Sequence, residues 1–297
     1  MWKRIAIGVI LLGAAVLPIF LTEQALRIPS GRREEPDRAK AEGIAAITGS
    51  KWSEAQINAA DGALLRGWKF LPAPSRDSGK AIILIHGAGD TRRGMLGFAR
   101  FFAGHGFSTL VVDSRGHGVS GGPHVTYGLT EKQDVHRWTD YLLGARPGAQ
   151  LYGMGMSMGA AILIQSLETE RRFRSIVAEC SYSTFREAAS ERIPRLTGLP
   201  AAFATPIVSA AFLYARMRYG YDLDSISPLE AIRKTQVPVL LIHGLADGRT
   251  APYQSRLLFQ ANPQAAELWE VPGAKHVQAS VVAQQEFESR VMRWFEK

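Results

Sequence analysis

The sequence predicts an α/β domain with a mostly parallel central sheet, helices flanking both faces, and a helical cap insertion. Three observations predict it. Short, nearly continuous apolar runs alternate with helical patterns, as strands buried on both faces require. Several of these runs end in glycine-bearing loops with chemically active side chains, where the sites of open α/β sheets gather. The segment from Thr184 to Thr235 is too long for a simple connection between neighbouring strands and reads as an insertion.

In chain order, the domain opens at Trp52. Asp61-Gly62 lies between Ala55-Gln56-Ile57-Asn58 and Leu64-Leu65-Arg66-Gly67-Trp68-Lys69-Phe70, the pattern of a hairpin and hence of an antiparallel edge. Apolar strands are expected at Ala81–Ile85, Ser108–Val112, Gln150–Met154, Ser175–Ala178, Val237–Ile242 and Glu267–Val271. Met95–Ala103 and Glu131–Leu143 read as helices, the second opened by a Thr130/Gln133 capping box. Pro200 and Pro206 divide the apolar stretch Leu196–Tyr214 into short cap helices. Ser227-Pro228-Leu229-Glu230 then starts a capped helix that returns the chain to the core, with Ser227 as N-cap and Glu230 closing the box.

Composition narrows the class. Hydrophobic residues at 46% and charged residues at 21% suit a folded enzyme and exclude intrinsic disorder or a polytopic membrane protein. The net charge of +8 is spread among acidic residues without a basic-aromatic motif, so no nucleic-acid partner is expected. A single cysteine, Cys180, excludes an intramolecular disulfide. No His-Glu-x-x-His pattern or nucleotide-binding glycine pattern occurs, so neither a metal nor an organic cofactor is expected.

The N-terminus differs in character. Lys3 and Arg4 precede an uncharged run from Ile5 to Leu21, whose helix would span roughly 26 Å, close to a bilayer's hydrocarbon thickness. Residues 1–22 therefore read as a membrane anchor, with a cleaved signal segment as the alternative. Residues 23–51 read as a juxtamembrane linker and residues 52–297 as the folded domain. The anchor reading puts the catalytic domain outside the cytoplasm; signal cleavage would make it secreted.

Chemistry concentrates at Gly155-Met156-Ser157-Met158-Gly159. A serine between glycines at this spacing, with a strand before it and a helix after it, can sit on a strained turn and act as a nucleophile. A serine in an ordinary glycine-rich turn is the competing reading. His86-Gly87-Ala88-Gly89 follows the first apolar strand, so the Ala88 amide can join the Met158 amide in an oxyanion hole, with His86 shaping the loop. Asp247 and His276 follow two later strands, giving the order Ser157, Asp247, His276: a nucleophile, an orienting acid and a base. Glu179 is the reserve acid.

With these residues the chain resembles the α/β-hydrolase superfamily, in its branch of serine esterases, lipases and aminopeptidase-like hydrolases, over roughly residues 52 to 297. The resemblance rests on the Ala88 loop, Asp113-Ser114-Arg115-Gly116-His117-Gly118-Val119-Ser120, the Ser157 elbow, and the Asp247 and His276 loops. It implies that Asp113, Arg115 and His117 support loop geometry, and that residues 184–235 form a cap over Ser157. Thr250 departs from the apolar residue that relatives often carry there. Phe203, Ile207, Phe212, Leu213 and Tyr214 are expected to line an acyl pocket or to pack the cap. The expected function is serine-dependent hydrolysis of ester-type acyl substrates, small molecules among which medium or long acyl esters and lysolipids are favoured. A peptidase, amidase or thioesterase with the same triad is one alternative, and a non-catalytic membrane-tethered binding protein is another.

Overall fold

A computed structural model describes residues 16–28 and 35–297. The described residues hold one eight-stranded sheet in the order β1-β2-β4-β3-β5-β6-β7-β8. Its strands are β1 Ser50–Asn58, β2 Leu64–Pro72, β3 Lys80–Ile85, β4 Ser108–Val112, β5 Gln150–Met156, β6 Phe173–Glu179, β7 Val239–Gly244 and β8 Ala266–Val271. β1 and β2 form the expected antiparallel hairpin, with Asn58 opposite Leu64. β2 also meets β4 antiparallel, and the remaining pairs are parallel.

Side chains alternating along each strand fill two cores. Ala81, Ile83 and Ile85 of β3 face one, while Ile82 and Leu84 face the other. The first core is covered by α4 Glu131–Ala145, α5 Met158–Ser166, α8 Pro228–Lys234 and α9 Tyr253–Ala261. The second lies under α2 Glu35–Thr48, α3 Leu96–Gly104 and α11 Gln284–Trp294. Apolar area buried on both faces explains why these strands read as continuous hydrophobic runs.

The insertion between β6 and β7 carries α6 Phe185–Thr197 and α7 Ala204–Tyr219 before α8. Thr184 caps α6 by accepting from Glu187 N–H at 3.2 Å, and Gly198, at φ 71°, ends it in the left-handed region. Pro200 separates α6 from α7. Pro206 does not divide α7, because it stands in the first turn, where a missing N–H costs no helical bond. The cap is seated by aromatic stacking: Phe185 lies 4.2 Å from Tyr127 and 5.6 Å from Phe212, centroid to centroid.

Two local expectations are corrected. Thr130 makes no side-chain cap at the start of α4. Glu131 takes over the work there, its carboxylate accepting from the N–H groups of Thr126 and Gly128 and from the Thr126 hydroxyl at 2.7–2.8 Å. At α8, Ser227 does accept from Glu230 N–H, yet the Glu230 carboxylate turns to Arg233 instead of closing the box.

The N-terminal expectation falls only partly on the described residues. Within the span read as linker, residues 35–48 form α2, which buries Ala41, Ile44 and Ala45 against α3 and the sheet. Residues 5–15 of the apolar run lie outside the described residues. The rest belongs to a helix over 16–26, α1, that is tied to the body. Thr22 Oγ1 donates to Ala211 O at 3.2 Å, and Tyr214 and Tyr219 donate to Glu23 Oε1 at 2.8 and 2.5 Å. Tyr127 donates to Ala25 O, and Val125 N–H to Leu26 O. Among the described residues, no helix is long and apolar enough to cross a membrane.

Candidate active site

Ser157 stands between β5 and α5 with φ 54° and ψ −115°, a conformation that L-residues avoid at a cost on the order of 1–3 kcal/mol. The surroundings enforce it. Ser157 N–H donates to Glu179 O at 2.7 Å, and Ala161 N–H donates to Ser157 O at 3.1 Å. The flanking glycines are steric necessities. A Cβ on Gly155 would come within 2.6 Å of Ala160 N, and one on Gly159 within 2.6 Å of His86 O.

Three strand ends converge on this serine. His276, in the loop after β8, places Nε2 2.8 Å from Ser157 Oγ and Nδ1 2.7 Å from Asp247 Oδ2. Asp247 follows β7, and its other oxygen accepts from Arg249 and Thr250 N–H at 2.7 and 3.0 Å. With Nδ1–H committed to the carboxylate, Nε2 is left to accept the serine proton. Burial pushes the Asp247 carboxyl up, but hydrogen bonds from His243 and His276, with the Thr250 amide, outweigh it and hold the group well below the usual range.

The Ala88 loop lies against the serine. A Cβ on Gly87 would stand 3.3 Å from Ser157 Cβ, so this loop packs directly on the nucleophile. The Met158 amide occupies the first turn of α5, where an N–H has no intrahelical acceptor. Two buried histidines shape this loop: His86 Nε2 accepts from Ser114 N–H at 3.1 Å, and His117 Nε2 accepts from Gly89 N–H at 3.2 Å. Burial depresses both, His117 to about 4 with the neighbouring His86 adding to the shift. Both rings are therefore neutral and free to accept at Nε2.

The Asp113–Ser120 loop is a scaffold. Asp113 accepts from Arg92 N–H at 2.7 Å and Val119 N–H at 3.2 Å. Arg115 makes a two-pronged contact with Asp134 at 2.7 and 2.8 Å and reaches Asp61 in the hairpin turn at 2.7 Å.

The five residues expected at an acyl pocket do not share one wall. Phe212 is buried against Phe185, and Ile207 packs on the same core. Phe203 and Leu213 are exposed, and Tyr214 turns to Glu23. Consecutive residues on α7 project about 100° apart, so Phe212, Leu213 and Tyr214 cannot face one cavity.

Glu179 does not replace Asp247: its Oε1 accepts from Ala279 N–H at 3.0 Å. His243 is a participant the sequence reading passed over. Fully buried, it sets Nε2 3.0 Å from Thr250 O and 3.3 Å from Asp247 Oδ2, with Nδ1 2.6 Å from Ser255 Oγ. Its signal was present, as the one polar side chain in Val239–Gly244 just before the acid loop. Cys180, Asp247 and His276 offer possible metal-ligand atoms within 4.8 Å of one another, but both imidazole nitrogens of His276 already serve Ser157 and Asp247.

Several known proteins are similar to this chain. The uncharacterized protein YqkD of Bacillus subtilis is 28% identical over 223 residues, covering 74% of this chain and 71% of its own. YfhR of Escherichia coli is 24% identical over 238 residues, covering 77% and 75%. An esterase of Pyrococcus furiosus superposes with TM-score 0.73 at 22% identity, over 92% of this chain and 97% of its own. The acylaminoacyl peptidase of Pyrococcus horikoshii gives 0.63 at 18% identity, over 83% and 41%. The family model described as serine aminopeptidase, S33, matches residues 76–227, from before β3 to the start of α8, and the chain belongs to that family of α/β-hydrolases.

Proposed function

We propose that this protein is a serine hydrolase acting on ester-type acyl substrates through Ser157, His276 and Asp247. One observation carries the reading: the unbroken hydrogen-bonded line from Ser157 Oγ through His276 to Asp247, with contacts of 2.8 and 2.7 Å. His276 Nε2 takes the serine proton as Oγ bonds to the substrate carbonyl carbon, and Asp247 stabilises the resulting imidazolium. The N–H groups of Ala88 and Met158 are the donors available to the oxyanion. Collapse breaks the bond to the leaving group, which receives its proton from His276. Water then repeats the sequence on the acyl-enzyme, releasing the acid and restoring Ser157.

Ester substrates are favoured by the solved esterase whose whole chain overlays this one. Amides are the competing class, favoured by the family's aminopeptidase description and by the acylaminoacyl peptidase neighbour. A p-nitrophenyl ester series of increasing acyl length, run beside aminoacyl and N-acylaminoacyl p-nitroanilides, separates them. The expected result is turnover of esters that Ser157→Ala lowers by several orders of magnitude. Faster turnover of the anilides by kcat/KM would overturn the ester assignment.

A further inference from the structure

The loop carrying His276 is gripped from the end of β6, the strand whose main chain also holds the Ser157 amide. Glu179 and Cys180, the last residue of β6 and the one after it, are fully buried and take no part in proton transfer as described. Glu179 O accepts the Ser157 amide at 2.7 Å, while Cys180 N–H donates to Ile242 O at 2.8 Å in β7. Their side chains reach the other way: Val277 N–H donates to Cys180 Sγ at 3.3 Å, and Ala279 N–H donates to Glu179 Oε1 at 3.0 Å. Val277 and Cys180 hold φ of 51° and 55°, and for a β-branched residue that is a marked departure.

We infer that Glu179 and Cys180 form a clamp that fixes the spacing between Ser157 and His276, the main chain gripping the nucleophile and the two side chains gripping the histidine loop. Both are positioning residues. The strain in Val277 fits this role, since such a backbone persists only where its surroundings over-determine it. Glu179 Oε2 has no hydrogen-bond partner among the described residues, so an uncharged side chain suffices at this position. Glutamine therefore conserves the clamp, whereas leucine removes its acceptor. The kinetic consequence rests on the serine-hydrolase reading, but the mechanical one does not.

The test uses the full chain with Cys180→Ala, Glu179→Leu and Glu179→Gln. Hydrogen exchange is followed at Val277 and Ala279, with β4 as the internal reference for global opening, and kcat and KM are measured on an ester the wild type turns over. Cys180→Ala and Glu179→Leu should each raise exchange in 277–279 roughly five- to tenfold, the size of one lost hydrogen bond, while β4 is unchanged. They should lower kcat with little change in KM, and Glu179→Gln should match the wild type in both. Unchanged exchange at 277–279 in both disruptive variants would overturn the clamp, even for a chain that hydrolyses nothing. Faster exchange with kcat intact would overturn its catalytic role.

Discussion

His276 Nδ1 and Asp247 Oδ2 lie 2.7 Å apart, joining a loop after the seventh strand to a loop after the eighth. The carboxylate is enclosed and held well below its ordinary value of 3.8 by histidine and backbone donors that overcome the cost of burial. A depressed carboxyl stabilises the fold at neutral pH, and that contribution is lost as pH falls below the ordinary value. Asp247→Asn should therefore have a shallower loss of stability on acidification, read by urea unfolding at a series of pH values. It should also lower kcat by about 10³–10⁴, because an amide cannot hold the imidazole tautomer and cation as a carboxylate does. Near-wild-type kcat would contradict the orienting role.

Glu179 carries the opposite linkage. Burial pushes its carboxyl up to about 7 from 4.5, with the nearby Asp247 carboxylate adding to the shift and the Ala279 amide opposing it. The unfolded chain gives up this proton near its ordinary value while the folded chain keeps it, so stability falls as pH rises across that window. Glu179→Gln should remove this component. Melting temperatures of the two proteins should diverge between about pH 5 and pH 8 in favour of the variant, and parallel curves would contradict the assignment.

Gly159 admits no side chain, since a Cβ would press on the carbonyls of Ile85 and His86 at the start of the Ala88 loop. Gly159→Ala should cost about 1–3 kcal/mol of stability, since the opposing atoms are backbone. Activity should fall further than stability, because the pressed segment leads into the Ala88 loop and Gly159 itself adjoins Met158, so the spacing of the two proposed oxyanion donors changes. Denaturant unfolding beside kcat/KM on an ester checks both effects.

Glu23 links the first helix to the cap through the hydroxyls of Tyr214 and Tyr219, and Arg27 pairs with it one turn on. Glu23→Ala should lower stability by about 1–2 kcal/mol and speed proteolysis within 184–235. Unchanged cleavage would show that α1 does not brace the cap.

Much of this structure was legible in the sequence. Each apolar run named a strand, because burial on both faces leaves little room for polar residues, and the elbow was legible because Gly155 and Gly159 face backbone at close range. Helix α2 was not, since its buried stripe of Ala41, Ile44 and Ala45 is set in a charged stretch that resembles a linker. The cap of α4 was missed because Glu131, not Thr130, satisfies the donors, and it does so by folding back on the preceding Thr126–Gly128 turn. Of the residues expected at an acyl pocket or in cap packing, Phe212 and Ile207 pack the cap while Phe203 and Leu213 are exposed, since apolarity does not say which side of α7 is buried. His243 carried a signal, a lone polar side chain in an apolar strand, that was passed over; the Glu179–Cys180 clamp acts on residues about 100 positions away, which composition and spacing do not reveal.

The most direct test of the central claim is covalent labelling with a fluorophosphonate, read by intact mass and peptide mapping. Wild type should gain one adduct, on Ser157, while Ser157→Ala gains none and His276→Ala reacts far more slowly. Equal labelling of wild type and Ser157→Ala, or an adduct on another serine, would contradict the assignment of Ser157 as nucleophile.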